Sequence, residues 1–465
     1  MNHTAKMADY LSQLTRDQLP HDVANTIKHC LLDALGVILG GAAYLRENDD
    51  LLFADYVRRL GDREESTVLG FGLKSSSRSA AFANGSLAEV LDQSDCMYAT
   101  AKTHPGSSIV PGAVSFAEAQ GSSGRDLLTA IAVGYEATGR AGMAVQPTHW
   151  HMGFQATGTV NTIGVAAAVG HLLGFGNDKM ANALGIAGHI LPISNGDGIF
   201  KGYTVKPVHG GQSAMSGIQA ALMADLGMTA GPLEGEPPRH HAFIRITSFE
   251  PNPEALTDGL GETWYARDMA FKPYPTGLLD QGPAEVAINL ATRHDIRAED
   301  VEDVLVSTYS NAVKFTGGHY TDVNSTIYDC QLSLPYSVAA GILDRQLTWE
   351  QYSARRLRDP ALHDLVSRVK VVAGEGMDKN YPRDWPVEVE IRLRSGKTVK
   401  RRIEKAWGSP ARPMTQAELV TKFEQLAGRL VDGGKVREAA QRLLAIEQQR
   451  HCAEVLALLD CESPY

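Results

Sequence analysis

Long runs of helical apolar spacing dominate the first 250 residues and constrain the fold more than any other feature of the sequence. Residues 22–39 place apolar side chains at a period close to 3.6, which predicts a helix that Asp22 could cap. Five further segments rich in Ala and Gly repeat this pattern: 77–91, 107–120, 124–137, 158–173 and 209–226. Several are apolar on most faces, so we expect these helices to lie inside a helical domain.

The pattern changes near residue 270, after a proline-punctuated turn at 271–275. Alternating β-branched residues then predict four strands, with helices between them: 301–308, 369–372, 387–393 and 398–403. The last two strands flank a tight turn at 394–397, which predicts a hairpin.

From residue 408 the chain again has helical patterns, and Thr415 could cap a helix ahead of Glu418. The predicted fold is therefore mainly α. Both chain ends, 1–268 and 406–465, form a large all-helical domain, and 269–405 form an inserted, smaller α+β lid domain.

Composition and charge exclude several classes of protein. The net charge is −10, and no basic cluster is interleaved with aromatic residues, so we expect no nucleic-acid partner. No apolar stretch is long enough to span a bilayer and no signal peptide is visible, so we expect no membrane contact and a cytoplasmic location. The five cysteines are widely spaced without a C-x-x-C pair, which fits a reducing compartment.

The segment 91–105, LDQSDCMYATAKTHP, concentrates groups that can move or stabilise protons. These groups lie between two apolar helical segments and are Asp92, Asp95, Cys96, Tyr98, Lys102 and His104. Asp92 and Cys96 would share a helix face if the preceding helix continued through them. The structural alternative is a polar loop with a helix-terminal histidine, and this segment alone leaves both open.

Two later segments add an amine, an imidazole and a phenol. Lys206 precedes Pro207, and with His209 it could form an anion-binding corner at a helix N-terminus. Tyr336 follows Pro335 at the start of a helix in the α+β part. The structural alternatives are a surface lysine and a packed tyrosine.

These motifs, taken in order, resemble the MmgE/PrpD family. The resemblance rests on Asp92-x-x-Asp95 with Thr103-His104-Pro105, Lys206-Pro207-x-His209, Lys272-Pro273-Tyr274-Pro275 and Gln331-x-Ser333-Leu334-Pro335-Tyr336. Members of the family include 2-methylcitrate dehydratase, cis-aconitate decarboxylase and iminodisuccinate epimerase. The resemblance implies a helical domain with an α+β lid, a homodimer, a small polycarboxylate substrate bound between the domains, and no metal or organic cofactor.

The resemblance also implies roles for individual residues. The catalytic residues it implies are His104, Lys206, Tyr336 and Asp92. The substrate-binding residues it implies are Asp95, Cys96, Tyr98, Gln155, His209, Lys272 and Gln331. Removal of a proton next to a carboxylate needs a placed base and positive charge near the developing enediolate. Lys206 would supply charge, His104 would be oriented by Asp92 or Asp95, and Tyr336 would deliver a proton from the lid.

Three departures from the family pattern bear on the reaction. Cys96 stands where decarboxylase-like members have Thr, Gln155 where many members have His, and Thr276-Gly277 where decarboxylases place another His. Because two imidazoles are absent, we predict an epimerase that removes and returns the α-proton of an iminodisuccinate-like amino polycarboxylate. The alternative is a lyase like 2-methylcitrate dehydratase or cis-aconitate decarboxylase, acting on a tricarboxylate. A non-catalytic diacid-binding protein is a further alternative.

Two other groups of residues could carry chemistry. Cys96 and Cys330 could form a thiol pair, but free cysteines usually fill buried space, and we expect that here. His149-Trp150-His151 and His240-His241 could suggest a metal, but no third ligand has a fitting spacing, so we predict no metal.

Overall fold

The computed structural model describes residues 2–238 and 241–464, so His240 and the His240-His241 pair lie outside the described residues. As the periodicity predicts, the N-terminal part is built from helices. They are α1 His3–Gln13, α2 His21–Glu47, α3 Leu52–Leu60, α4 Ser77–Val90, α5 Ile109–Gln120, α6 Gly124–Val145, α7 Thr148–His151, α8 Val160–Leu172, α9 Asn177–Ile190, α10 Asp197–Phe200, α11 Val208–Asp225 and α12 Phe243–Ile246. A small antiparallel hairpin that the sequence patterns did not predict lies between α3 and α4, formed by β1 Ser66–Val68 and β2 Leu73–Ser75.

The long helix α2 lies at the centre of this part. It is long and apolar enough by composition to cross a membrane, yet 83% of its most apolar window is buried inside the protein, as is typical of a core helix. It extends eight residues beyond the predicted end at residue 39, since it runs to Glu47. The prediction that Asp22 caps α2 is wrong, because Pro20 precedes the helix and Asp22 instead pairs with Arg267 at 2.7 Å.

The α+β part follows residue 270. Its helices are α13 Gln281–Arg293, α14 Ser310–Ala312, α15 Ile327–Cys330, α16 Leu334–Asp344, α17 Ala354–Leu357 and α18 Pro360–Ser367. Its strands are β3 Val301–Thr308, β4 Val369–Ala373, β5 Val387–Leu393 and β6 Thr398–Ile403, and they confirm the four predicted strands almost to the residue. The sheet order is β4-β3-β5-β6, with only β3 and β4 parallel. Gly396, with φ of 85°, permits the tight turn between β5 and β6.

The C-terminal helices return to the N-terminal part. They are α19 Gln416–Ala427, α20 Gly433–Leu444 and α21 Ala453–Leu456. Thr415 and Glu418 form the predicted capping box at the start of α19. Phe423 and Leu426 of α19 pack where Gly36 and Gly40 leave space on α2. The mainly α fold built from both chain ends, with an α+β portion between them, is confirmed, whereas the exact domain boundaries remain predictions.

Candidate active site

Asp92 lies at the point where α4 ends and the chain turns into the segment between α4 and α5. The helix does not continue to Cys96, because it ends at Val90, and Asp92 adopts a left-handed backbone with φ of 48°. A non-glycine residue rarely adopts this conformation, and such strain is concentrated at functional sites. Cys96 is instead held by backbone hydrogen bonds to Ala270, so the two side chains do not share a helix face.

Two buried lysines converge on the Asp92 carboxylate. Lys206 Nζ lies 2.6 Å from its Oδ2, and Lys272 Nζ contacts its Oδ1 and also donates to its backbone carbonyl at 3.1 Å. Lys206 further donates to Gln331 Oε1 at 3.3 Å, and the Gln331 amide donates to the Val90 carbonyl, so the α+β part fixes this lysine from its own side. We call Asp92, Lys206 and Lys272 the lysine–aspartate cluster.

The cluster contains one carboxylate and two ammonium groups. Burial alone would raise the pKa of the Asp92 carboxyl, but the charges of Lys206 and Lys272 hold it well below its usual range. Burial alone would likewise lower the pKa of Lys272, but Asp92 raises it above its usual value. Asp92 and Lys272 are therefore ionised at neutral pH. Within the cluster one carboxylate faces two lysines, and the ionised Glu89 nearby offsets part of their charge, so the two Nζ groups themselves are what would bind an anionic ligand.

His104 stands beside the cluster as a neutral imidazole. Its Nδ1 lies 2.8 Å from the Asp95 backbone carbonyl, which only accepts hydrogen bonds, so Nδ1 carries the proton and Nε2 holds the lone pair. Burial, together with the positive charge of Lys272, lowers the pKa of His104 to about 4. His104 thus has the protonation state of a base at neutral pH.

Asp95 orients His104 through its backbone rather than its side chain. Its carboxylate accepts hydrogen bonds from the Tyr135 hydroxyl at 2.6 Å and the Gly106 amide at 2.8 Å. Burial raises the pKa of Asp95 to about 7, although the Tyr135 hydroxyl opposes the shift. Position 106 must be glycine, because a Cβ there would lie 2.7 Å from Asp95 Oδ1. Asp95 is therefore a supporting residue of the site rather than the predicted substrate ligand.

A close contact between His209 and Glu89 lies next to the cluster. His209 Nε2 is 3.0 Å from Glu89 Oε2, and both side chains are buried. Burial alone would raise the pKa of Glu89, but His209 lowers it to about 2. His209 and Lys206 also line a cavity of about 120 Å³ together with Ser194, Asn195 and Val205.

Three further residues that were predicted to bind substrate, Cys96, Gln155 and Tyr98, lie outside the lysine–aspartate cluster. Cys96 is buried, and burial raises the pKa of its thiol far above neutrality. Gln155 is buried in a loop whose backbone pairs with Ser194, which borders the 120 Å³ cavity. The Tyr98 hydroxyl is bound to the Tyr381 hydroxyl at 2.7 Å, at the wall of a separate cavity of about 580 Å³ between the helical and α+β parts.

Tyr336 does not join the cluster. Its hydroxyl donates to the Gln351 carbonyl, and its ring packs against Tyr352 and His363 inside the α+β part. The side chain is fully buried, and burial raises the pKa of its phenol far above the usual value. The prediction that Tyr336 delivers a proton from the lid is therefore wrong: its position at the start of α16 points it into the core of that part.

The cysteine and histidine groups outside the cluster have structural roles. Cys330 and Cys96 are both buried free thiols, and a space-filling role for them remains a prediction. His149 is fully buried and hydrogen-bonded at both ring nitrogens, to the Thr247 carbonyl and the Thr159 hydroxyl. Within residues 2–238 and 241–464, no group of three or more His, Cys, Asp or Glu side chains is arranged to hold a metal ion. The absence of a metal requirement remains a prediction.

Sequence reasoning missed two carboxyl groups near the cluster. Glu89 lies three residues before Asp92 on α4, and this helical spacing could have drawn attention to it. Asp280 is fully buried immediately before α13, but no pattern in the sequence singles it out.

Models of known protein families match both the helical and the α+β parts of the chain. The family model of the MmgE/PrpD N-terminal domain matches residues 5–248, and that of the MmgE/PrpD C-terminal domain matches residues 274–448. The chain belongs to the MmgE/PrpD family. Lys206, inside the N-terminal match, and Lys272, just ahead of the C-terminal match, meet at Asp92.

Relatives within the family are similar over nearly their whole length. Cis-aconitate decarboxylase of Aspergillus terreus is 25% identical over 485 residues, covering 98% of this chain and 96% of the relative. The human cis-aconitate decarboxylase is 26% identical and covers 99% and 95%, and the mouse protein is 26% identical and covers 98% and 93%. These relatives are enzymes of the lyase type, which supports an enzymatic role for this chain.

Proposed function

We propose that this protein is a cofactor-independent lyase acting on a small tricarboxylate, with decarboxylation of a cis-aconitate-like acid as its first candidate reaction. The observation that carries the proposal is the lysine–aspartate cluster beside a neutral His104. Two buried ammonium groups can hold substrate carboxylates, and an imidazole with a free Nε2 lone pair can accept a proton within the same site. The full-length similarity to cis-aconitate decarboxylases supports the choice of substrate class.

The two lysines of the cluster would stabilise the negative charge that develops on the substrate during the reaction. Loss of CO₂ or of a proton next to a carboxylate leaves negative charge that spreads over the remaining carboxylate. Lys206 and Lys272 are held in place by Asp92 before substrate arrives, so their charges need no reorganisation. Because Lys206 is also bound to Gln331 of the α+β part, binding of a substrate carboxylate would involve both parts of the chain.

The epimerase prediction is the second candidate, and the relatives support it less than the lyase. It rests on Gln155, where the resemblance associates a His with many family members, and on the Thr276-Gly277 turn, where it associates a His with decarboxylases. The absence of these rings does not remove the base or the charge, since His104, Lys206 and Lys272 supply both.

One incubation in deuterated water separates these reactions. Purified full-length protein is given cis-aconitate, 2-methylcitrate or one stereoisomer of an amino diacid. Release of CO₂ with deuterium in the unsaturated product supports the decarboxylase, and release of water supports the dehydratase. Stereochemical inversion with deuterium at the α-carbon and no release of CO₂ or water would contradict the lyase proposal in favour of the epimerase.

Metal independence is a direct expectation of this proposal. The two lysines supply the positive charge that a metal ion would otherwise supply to a carboxylate. We expect turnover to change by less than about twofold after dialysis against EDTA. A larger loss that added Mg²⁺ or Zn²⁺ restores would contradict the expectation.

We also propose that the protein is a homodimer. Leu226 is 89% exposed and Phe249 is 77% exposed, and Met228 and Ile246 nearby line a concave surface of about 800 Å³. Exposed apolar patches of this kind mark protein contact sites. We expect the double variant Leu226→Asp/Met228→Asp to elute at half the mass of the wild type in size exclusion with light scattering. Leu52→Asp, at an exposed apolar position on α3, is the matched control and should leave the mass unchanged.

A further inference from the structure

The cavity of about 580 Å³ between the helical and α+β parts, which we call the junction cavity, lies apart from the candidate active site. It shares no lining residue with the 120 Å³ cavity at Lys206 and His209. Residues 98–100 line it from the helical part, and residues 379–385 line it from the α+β part. Cavities of this size, placed at the junction of two parts of a chain, commonly hold small molecules. A ligand in the junction cavity would contact both parts of the protein.

The basic side chains that line the junction cavity have no acidic partner. They are Lys379, Arg383 and Lys405. Within residues 2–238 and 241–464, no carboxylate oxygen lies within 4.0 Å of their side-chain nitrogens. Asp268 and Asp384 also line the cavity, but the Asp384 carboxylate accepts a hydrogen bond at 3.0 Å from a neighbouring amide in its own loop. Basic groups therefore outnumber acidic ones around this cavity, which favours a negatively charged ligand.

Two tyrosine hydroxyls at the wall of the junction cavity leave one proton for a ligand. The Tyr98 and Tyr381 hydroxyls lie 2.7 Å apart, and the Asn311 amide donates to the Tyr381 hydroxyl at 2.9 Å. Two hydroxyl groups that share one hydrogen bond use only one of their two protons for it. Elsewhere in the described part of the chain, no acceptor takes the second proton. The tyrosine pair can therefore donate a hydrogen bond to an oxyanion in the cavity.

One wall of the junction cavity continues through the backbone into the lysine–aspartate cluster. Ala270 lines the cavity, and its backbone pairs with that of Cys96 through hydrogen bonds of 2.8 and 2.9 Å. Ala270 lies two residues before Lys272, and Cys96 lies four residues after Asp92. A ligand held by both parts of the chain would stabilise the arrangement in which Asp92 and Lys272 are paired.

We propose that the junction cavity binds a small, multiply charged oxyanion, whose charges come from carboxylates or phosphates, at a site distinct from the lysine–aspartate cluster. Lys379, Arg383 and Lys405 supply the positive charge, and the tyrosine pair supplies a hydrogen bond. Binding in this cavity requires no turnover and is therefore independent of the proposed lyase function.

Isothermal titration calorimetry of the full chain, with citrate and separately with pyrophosphate, measures this binding and shows which class of oxyanion is preferred. We expect the double variant Lys379→Met/Arg383→Met to raise the Kd about tenfold or more, because each lost charge-assisted contact contributes about that factor. If citrate also binds the lysine–aspartate cluster, the variant should lose one of two citrate sites. The control Lys397→Met/Lys400→Met removes the same charge from exposed positions of the β5–β6 hairpin outside the cavity. It should change the Kd by less than about twofold.

Lysine acetylation read by peptide mass spectrometry locates the bound oxyanion. Saturation of the wild type with the oxyanion should slow acetylation of Lys379 and Lys405 by about threefold or more, while Lys397 keeps its rate. Two results would contradict the proposed site: no binding of either oxyanion tighter than about 10 mM, or an unchanged Kd in Lys379→Met/Arg383→Met. Should that variant not fold, the wild type decides, because a bound oxyanion that leaves Lys379 and Lys405 unprotected must lie elsewhere.

Discussion

Replacing His104 with glutamine is expected to lower kcat for dehydration of a hydroxy tricarboxylate by about a hundredfold to ten-thousandfold, the range that a placed general base contributes, because dehydration removes a proton next to a carboxylate whereas decarboxylation removes none. Glutamine can still donate a hydrogen bond to the Asp95 carbonyl, which His104 Nδ1 contacts at 2.8 Å, but it has no basic nitrogen. The measurement is steady-state turnover of the tricarboxylate by the purified variant, with circular dichroism to establish that it is folded.

Two further measurements distinguish the loss of the base from a structural effect of the substitution. His29→Gln, a change at another partly buried histidine that contacts Gln416, is expected to keep wild-type turnover. Because the pKa of His104 is lowered to about 4, wild-type kcat/KM should hold from neutral pH downward and fall as pH drops through about 4. Full turnover by His104→Gln would show that another group takes the proton.

Replacing Asp92 with alanine is expected to destabilise the protein by about 3–5 kcal/mol, because it leaves two buried ammonium groups without their carboxylate. Lys206 and Lys272 are only 3% and 1% exposed, so water cannot replace the lost partner. The measurement is the free energy of unfolding in urea, compared with the wild type.

A second variant shows whether the loss of stability in Asp92→Ala comes from the unpaired ammonium groups. The double variant Asp92→Ala/Lys206→Met removes one ammonium group together with the carboxylate and should regain part of the lost stability. Asp33→Ala breaks the other buried carboxylate–lysine pair, to Lys422 at 2.7 Å, and should destabilise without abolishing tricarboxylate binding. A double variant less stable than Asp92→Ala would contradict the explanation.

The fold could be predicted from sequence to a large extent, because buried helix and strand faces require apolar residues at a regular spacing. Helices such as α11 are apolar on the faces that pack, and the strands β3 and β5 alternate as a sheet with one covered face requires. The helix α9 was not predicted from the sequence, because only six of its fourteen residues are buried and its apolar pattern is weak. The hairpin of β1 and β2 escaped because its strands have three residues each.

The candidate site could be predicted only in part, because its contacts join distant segments. Lys206 and Lys272 lie 114 and 180 residues from Asp92, and only the resemblance to the family brought them together. The direction of a side chain was harder to predict than its position. Tyr336 begins the expected helix, yet the packing of that helix turns the phenol toward Gln351 and away from the cluster. Asp280 could not be found at all, since its burial and its unpaired oxygen exist only in the folded chain.

A crystal structure of the full chain with a bound tricarboxylate tests the central claim most directly. We expect substrate carboxylates within hydrogen-bond distance of the Nζ atoms of Lys206 and Lys272, and a substrate carbon facing His104 Nε2. A tricarboxylate bound away from all three side chains, with the lysine–aspartate cluster unchanged, would contradict it.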